Sequence, residues 1–278
     1  MKSFSKIMAG MLLASVTMFC ACGSAEEVKL KDTNVFGYLL FAQDVEKIRA
    51  MDIAEGYMPS VYFDDLNSML LALQAEKIDR ISEIPQPVAE YIYNHNKNLQ
   101  VLVPSKNWQG NLFLCMGTMQ KNTKVTELLN SAIKELKESG KLDALQKKYV
   151  DGCLQKGKEP KPVAMPKIKD APVIKVAVTG DYPPIDLVAA DGTPAGFNVA
   201  MLAEIAKLKK VNIIPIPMNS GARFLSLSKG IVDAIFFIDE AVYNNSKYTE
   251  IFNSTDIPKN ICITDVYAKY PIRHVERK

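Results

Sequence analysis

Short apolar runs with the length of β-strands alternate along the chain with segments of helical periodicity, which is the pattern of an α/β protein. One segment breaks the alternation: residues 151–172 are rich in proline, glycine and lysine, a composition typical of an extended linker. With 48% hydrophobic residues among 278, the chain can build a sizeable core. The pattern therefore predicts two α/β segments, 28–150 and 173–278, joined by the linker.

Individual elements follow from the periodicity and the turn residues between them. The expected strands are 35–41, 60–63, 78–81, 99–103, 112–119, 173–179, 212–217 and 232–238. The expected helices are 43–54, 66–75, 87–95, 124–138, 142–149, 198–208 and 223–228. We expect a turn at 181–184, whereas the polar and aromatic tail after 238 allows no assignment.

The N-terminus has the form of an export signal, with two lysines before the apolar run 7–19 and small residues after it. This run is too short to span a bilayer comfortably. The quartet Phe19-Cys20-Ala21-Cys22 resembles a bacterial lipobox, in which Cys22 is the lipidated residue because a small residue precedes it. We expect a lipoprotein signal peptide at 1–21 and an anchor on the extracytoplasmic face of the membrane. The alternative is an ordinary secretory signal with two incidental cysteines.

Charge and cysteine content argue against several other classes of protein. The formal net charge is +3, and removal of the leader with Lys2 and Lys6 lowers it to +1, so no basic surface indicates nucleic acid. Beyond Cys22 three cysteines remain, without a C-x-x-C pair, and the two histidines are isolated. These are Cys115, Cys153 and Cys262. We expect no metal and no cofactor; one disulfide among the three thiols remains open, with buried inert thiols as the default.

The second half of the chain contains motifs of a known family. The segment 176–184 reads Val-Ala-Val-Thr-Gly-Asp-Tyr-Pro-Pro, 196–199 reads Gly-Phe-Asn-Val, and 228–235 reads Ser-Lys-Gly-Ile-Val-Asp-Ala-Ile. Together they resemble the first lobe of extracellular solute-binding proteins of the polar amino-acid uptake family, with Asn198 where that family usually has Asp. Thr-Asp-Val-Tyr at 264–267 is similar to a degraded Ser-Asp-Pro-Tyr hinge entry.

The first half resembles the other lobe of the same family. Segments 71–79, 96–102 and 130–149 are similar to the helix-strand step, the Asn-Pro-Asp-Leu-Lys-Val-Val strand and the closing helices of lobe 2. The resemblance implies a two-lobed type II periplasmic-binding-protein-like α/β fold with its halves in swapped order. We expect a circular permutation, in which a lobe 2-like segment at 28–150 precedes a lobe 1-like segment at 173–278. The alternative is a remnant of tandem copies, each truncated.

In this family a small polar ligand lies between the lobes, near loops that follow strands. By resemblance, Tyr182 faces the ligand and Asp181 caps or contacts it; alternatively, Asp181 is an exposed cap of the turn. Ser220, Gly221 and Arg223 open a helix whose free N–H groups, with the guanidinium, could take an anion. Their alternative roles are an N-cap for Ser220 and a solvated side chain for Arg223.

Three departures from the family pattern alter the expected ligand. The Thr-x-x-Arg that grips a ligand carboxylate is absent from 237–243, where the Asp239-Glu240 pair would favour a cationic group unless both carboxyls face solvent. The lobe 2 Gly-Thr-Thr loop, at 36–43, has no hydroxyls except that of a tyrosine. The acid that takes the ligand ammonium is replaced by Pro85, and Glu83 or Gln86 is the candidate substitute.

The resemblance predicts a surface-anchored, non-enzymatic receptor that captures a small polar solute, such as an amino acid, for an ABC-type permease. An alternative is a scaffold or sensor that keeps the fold without a transport role. A dehydratase-like enzyme has the least support, because the sequence shows no nucleophile-base pair and no metal cluster.

Overall fold

The computed structural model describes residues 34–39, 60–104, 110–244 and 260–278. The predicted signal peptide at 1–21, the predicted lipidation site Cys22 and the predicted helix at 43–54 lie outside these ranges. Within the described ranges, no helix has the length and apolarity needed to cross a bilayer.

The first elements form one group of strands with two helices. In chain order they are β1 (Phe36–Leu39), β2 (Ser60–Phe63), α1 (Leu66–Gln74), β3 (Arg80–Pro85), α2 (Gln86–His95) and β4 (Leu99–Leu102). Strand β1 lies between β2 and β3 and is parallel to both. We call β1 to β4 with their helices the N group.

The remaining elements build a second group. In chain order they are β5 (Asn111–Met119), α3 (Thr123–Glu138), α4 (Lys141–Gln146), a π-helical turn (Lys147–Asp151), α5 (Gly152–Lys156), β6 (Val173–Val178), β7 (Asp181–Tyr182), β8 (Asp186–Val188), β9 (Pro194–Ala195), α6 (Phe197–Lys209), β10 (Asn212–Pro217), α7 (Ser220–Ser228), β11 (Ala234–Asp239), α8 (Glu240–Tyr243), β12 (Ile261–Ile263) and β13 (Ala268–Arg277). Strands β10, β6 and β11 are parallel neighbours, and β5 joins β11 in the antiparallel sense. We call β5, β6, β10, β11 and β12 with the helices between them the C group.

Strand β13 joins the two groups. Residues 268–271 pair with β5, whereas 272–277 pair with β3 and β4. The tail that allowed no assignment from its polar sequence is thus a central strand. Its backbone is paired on both sides along its second half, so hydrogen bonding places it where its side-chain pattern indicates nothing.

Helix α6 confirms the helix predicted at 198–208 and lies mostly within the core. Nine of its thirteen residues are buried. On its outer side, the Lys209 ammonium donates to Ser131 and forms an ion pair with Glu135, both on α3. A helix covered on most sides is apolar on most sides. The predicted α/β class is confirmed by the alternation of strands and helices in both groups.

The segment predicted to be an extended linker is only partly so. Residues 151–156 are helical, in the π-helical turn and α5, which end at Gly157 with φ 56°. Beyond them the chain packs on the C group: the amide of Val163 donates to the carbonyl of Pro194 at 3.0 Å, and that of Ile168 to the Asn212 side chain at 2.8 Å. The composition predicted an unpacked segment because proline prevents local backbone hydrogen bonds, but here tertiary hydrogen bonds take their place.

Candidate functional site

The parallel strands β6, β10 and β11 end at the same edge of the sheet, and a polar loop follows each of them. The loops begin near Asp181, Ser220 and Asp239, three of the residues that the motifs indicated. Ligands of α/β sheets commonly bind outside the carboxyl ends of the strands. This edge is therefore the candidate site.

Asp181 contacts the N group directly. Its Oδ2 accepts a hydrogen bond from the backbone amide of Leu66 at 2.6 Å. Burial raises the pKa of the carboxyl group, as does the neighbouring Asp65 carboxylate, against the opposing effects of the Leu66 amide and the Arg223 charge. Asp181 is thus half-buried and engaged, which differs from the exposed cap considered as its alternative role.

Tyr182 lies in the core instead of at an open surface. Its side chain is 5% exposed, and its ring meets the edge of the Phe237 ring at a centroid distance of 5.2 Å and an interplanar angle of 71°. Burial raises the pKa of its hydroxyl above the ordinary value. In this arrangement Tyr182 supports the floor of the Asp181 loop by packing.

The first turn of α7 is capped and contacted by other parts of the chain. The side chain of Asn219 accepts from the Ala222 amide at 3.1 Å, so Asn219 is the N-cap, a role considered for Ser220. The Ser220 amide, which has no acceptor within the helix, donates to the carbonyl of Asp64 at 2.9 Å. Gly221 occupies the second position of the helix.

Arg223 is buried beneath this turn with 2% exposure, so it is not a solvated side chain. Its Nη1 donates to the carbonyl of Phe236 at 2.6 Å and its Nη2 to Ser220 Oγ at 3.2 Å. The Nε has no hydrogen-bond partner among the described residues. Burial lowers the pKa of the guanidinium, while the Asp186 and Asp181 carboxylates raise it. Arg223 therefore supplies positive charge from below the loops.

Asp186 was not singled out in the sequence, although an acid within an apolar run was an available signal. It is fully buried and accepts from the amides of Gly180 at 3.1 Å and Thr179 at 3.3 Å, and from the Asn198 side chain at 3.3 Å. Burial raises the pKa of its carboxyl group to about 6 despite these bonds. The three donors hold the Thr179–Gly180 turn that presents Asp181.

Asp239, at the end of β11, is occupied by backbone donors. Its Oδ1 accepts from the amides of Phe113 and Ala241, each at 3.1 Å. Burial raises the pKa of the carboxyl group. The carboxylate thus stabilises the junction of β11, α8 and β5 and does not face solvent freely.

Glu83 and Gln86 lie beside β13 in the N group. Glu83 has φ 56° at an irregularity between β3 and β13, and its amide donates to His274 Nδ1 at 3.4 Å. Gln86 Oε1 accepts from Arg273 at 3.0 Å, and its Nε2 donates to Glu90 at 2.5 Å. The contacts that reach the Asp181 and Ser220 loops come instead from Asp64 and Leu66, which no motif had indicated.

Cys115, Cys153 and Cys262 are free thiols, so none of the possible disulfides is present. Burial raises the pKa of Cys115 to about 12 and that of Cys153 to about 11. In the part of the chain that the structure describes, no group of acids, cysteines and histidines could hold a metal ion. Cys115 and Cys153 therefore behave as small apolar core residues, whereas Cys262 is partly exposed.

Comparisons with known proteins add a family to this geometry. Residues 174–247 match the model of bacterial extracellular solute-binding proteins, family 3. No curated protein matches the chain.

Similar solved structures share little sequence with the chain. The ligand-binding component of an ABC-type import system from Staphylococcus aureus, with zinc bound, is 10% identical at a TM-score of 0.43; the match covers 88% of this chain and 65% of that protein. A putative L-cystine ABC transporter from Listeria monocytogenes is 13% identical at a TM-score of 0.40, covering 88% and 82%. The probable amino-acid ABC transporter extracellular-binding protein of Bacillus subtilis is 12% identical at 0.40, covering 88% and 83%.

The matched segment contains β6, α6, β10, α7 and β11, and with them the loops of Asp181, Ser220 and Asp239. The motifs that suggested the resemblance at 176–184, 196–199 and 228–235 all lie within it. Over residues 174–247, the chain carries the sequence pattern of bacterial extracellular solute-binding proteins, family 3, as its motifs predicted.

Proposed function

We propose that the protein is an exported lipoprotein, anchored through Cys22, that binds a small polar solute and delivers it to an ABC-type permease without chemical change. The observation that carries the proposal is the family match over 174–247, which includes three polar loops at one sheet edge. The permease and the anchor come from the family resemblance and from the lipobox-like quartet.

Circular permutation is part of this proposal, and the strand order supports it. Strand β5 enters the C group directly after the N-group segment, and β13 returns from the C group to pair with β3 and β4. Each group thus contains strands from one continuous segment, completed by one of these two long strands. Residues 157–172 connect α5 to β6, where a permuted chain joins its former termini.

The charges at the loops favour a solute with a cationic end. Asp181 offers a carboxylate, and the Thr-x-x-Arg with which the family pattern grips a ligand carboxylate is absent from 237–243. The first turn of α7 offers a backbone amide to a carboxylate or carbonyl group. We therefore propose an amino acid or a related amine, oriented with its ammonium group towards Asp181.

A thermal-shift screen of the full chain against amino acids, small peptides and polyamines tests this function. A solute that binds only the folded state raises the melting temperature, by an amount that grows with its concentration. We expect a concentration-dependent rise with amines. No rise with any compound at millimolar concentration would contradict solute capture.

A second function is favoured by one observation: the Asp181 carboxylate and the Ser220 amide already have partners within the chain. A scaffold or sensor with the same fold would have no need of a solute at these groups. Cross-linking that captures a defined envelope protein, together with a screen that finds no solute, would support this function over transport.

A further inference from the structure

Residues 64–66, between β2 and α1, make two hydrogen bonds to loops of the C group. The Leu66 amide donates to Asp181 Oδ2 at 2.6 Å, and the Asp64 carbonyl accepts from the Ser220 amide at 2.9 Å. The segment therefore presents one donor and one acceptor to the two loops that the proposed solute would contact.

The placement of this segment is set within the N group. Asp65 is the N-cap of α1, and its carboxylate accepts from both the amide and the hydroxyl of Ser68, at 2.7 and 2.8 Å. The Leu66 side chain is 1% exposed and anchors the first turn in the apolar interior. Because Asp65 already caps the helix, the Leu66 amide remains for an acceptor outside it, and Asp181 is that acceptor.

The two contacts reproduce the polarity of the proposed solute. The first amide of a helix carries the positive end of its dipole, as an ammonium group carries positive charge, and it meets a carboxylate. A carbonyl oxygen meets the positive end of α7, as a carboxylate would. Residues 64–66 thus supply a positive group to Asp181 and a negative group to the first turn of α7, as the proposed solute would.

We propose that the 64–66 segment is an autoinhibitory clasp. When no solute is bound, it holds the Asp181 and Ser220 loops against the N group, and it occupies the polar groups that a solute would use. The competition with a solute rests on the proposed function, whereas the contact between the segment and the loops does not. A solute gains these groups only by displacing the clasp, so its apparent affinity is lowered by the fraction of molecules that are closed on the clasp.

Leu66→Pro tests the clasp, with Leu66→Ala as its matched control. Proline suits the first position of a helix, and the extended backbone of Asp65 suits the residue before it, so the variant removes the donor with little backbone strain in α1, and its Cδ excludes the Asp181 carboxylate from that position. Both variants lose the buried leucine, but alanine keeps the amide. The readout is hydrogen exchange of the Ser220 amide in the full chain, since Asp64 is its acceptor and no helical bond protects it.

We expect the Ser220 amide to exchange at least about tenfold faster in Leu66→Pro than in Leu66→Ala, as a lost hydrogen bond of about 1.4 kcal/mol would give. Equal rates would overturn the clasp. If the leucine variants unfold, Asp181→Ala removes the acceptor instead, and Asp191→Ala is its control because that exposed carboxylate accepts from Thr193. The Ser220 amide should again exchange at least about tenfold faster in Asp181→Ala than in Asp191→Ala, and equal rates would overturn the clasp.

The occupancy part is tested with L-arginine and L-glutamine as probes. We expect binding to Leu66→Pro about tenfold tighter than to Leu66→Ala, because the clasp no longer competes. Equal binding to both variants would overturn the competition. Failure of every compound in the wider screen would instead contradict the proposed function, whereas the exchange rates, which need no solute, decide the clasp by themselves.

Discussion

The side-chain amide of Asn198 donates to the fully buried carboxylate of Asp186 at 3.3 Å. Asn198 is the residue that departs from the family's Gly-Phe-Asp-Val motif. Two carboxylates at this distance inside the core would repel each other, and the amide removes that repulsion. The departure is therefore matched to the acid at 186.

Asn198→Asp should destabilise the protein by about 3 kcal/mol at pH 8, because it places a second buried carboxylate beside Asp186 without adding a positive charge to offset it. The loss should shrink at pH 4.5, where one of the two carboxyl groups is protonated. Urea unfolding at both pH values measures it. Asn198→Ala, which removes the amide without adding charge, is the control and should lose less stability than Asn198→Asp at pH 8; an equal loss for Asn198→Asp at both pH values would contradict the repulsion.

The raised pKa of Asp186 predicts a pH dependence with a definite sign. The folded protein holds the Asp186 proton up to about pH 6, whereas the unfolded chain loses it near pH 3.8. The contribution of protonated Asp186 to stability is therefore fully present below pH 3.8 and is lost as the pH rises through 6. The shift corresponds to about 3 kcal/mol. The difference in unfolding free energy between wild type and Asp186→Asn should therefore change across this window, and a constant difference would contradict the raised pKa.

Arg223→Lys should cost about 2 kcal/mol of stability although it keeps the charge. A lysine cannot donate to both the Phe236 carbonyl and Ser220 Oγ in the geometry of the guanidinium, so one buried acceptor loses its partner. Arg273→Lys, at a half-buried position on β13, is the control and should cost less than 1 kcal/mol. Similar losses of unfolding free energy for both variants in urea would argue against a stabilising role for the two buried hydrogen bonds of Arg223.

Gly196→Ala should prevent stable folding, whereas Gly192→Ala should cost only about 1 to 2 kcal/mol. Both glycines have positive φ, 98° and 82°, so the backbone penalty applies to each. A Cβ at 196 would lie 2.7 Å from the carbonyl oxygen of Ile185, but at 192 it would meet nothing within 4 Å. Thermal melts separate the two effects; a Gly196→Ala variant as stable as Gly192→Ala would refute the steric argument.

Local pattern was sufficient for elements with a continuous apolar run or a clear apolar face. The helix predicted at 124–138 is α3 (Thr123–Glu138), and the strand predicted at 112–119 is β5 (Asn111–Met119). Pattern was weaker at the ends of elements, which tertiary pairing can extend or change. The strand predicted at 78–81 is β3 (Arg80–Pro85), because pairing with β13 extends it, and the helix predicted at 142–149 changes to a π-helical turn after Gln146.

The candidate site divides in the same way. Motifs located the loops of Asp181, Ser220 and Asp239, since a turn after a strand has a local signature. They did not indicate Asp64 or Leu66, whose contribution is a backbone carbonyl and a backbone amide. Any residue type carries these groups, so no side-chain pattern marks them.

The sequence by itself determined the α/β alternation, the family-like motifs within residues 174–247 and the loops that form the candidate site, because periodicity and turn chemistry are local properties. Tertiary structure alone decided that the polar tail is the strand joining both groups, that Arg223 lies beneath the loops, and that residues 64–66 meet Asp181 and Ser220. These relationships depend on backbone hydrogen bonds and burial between residues far apart in the chain, which leave no trace in the composition of either partner.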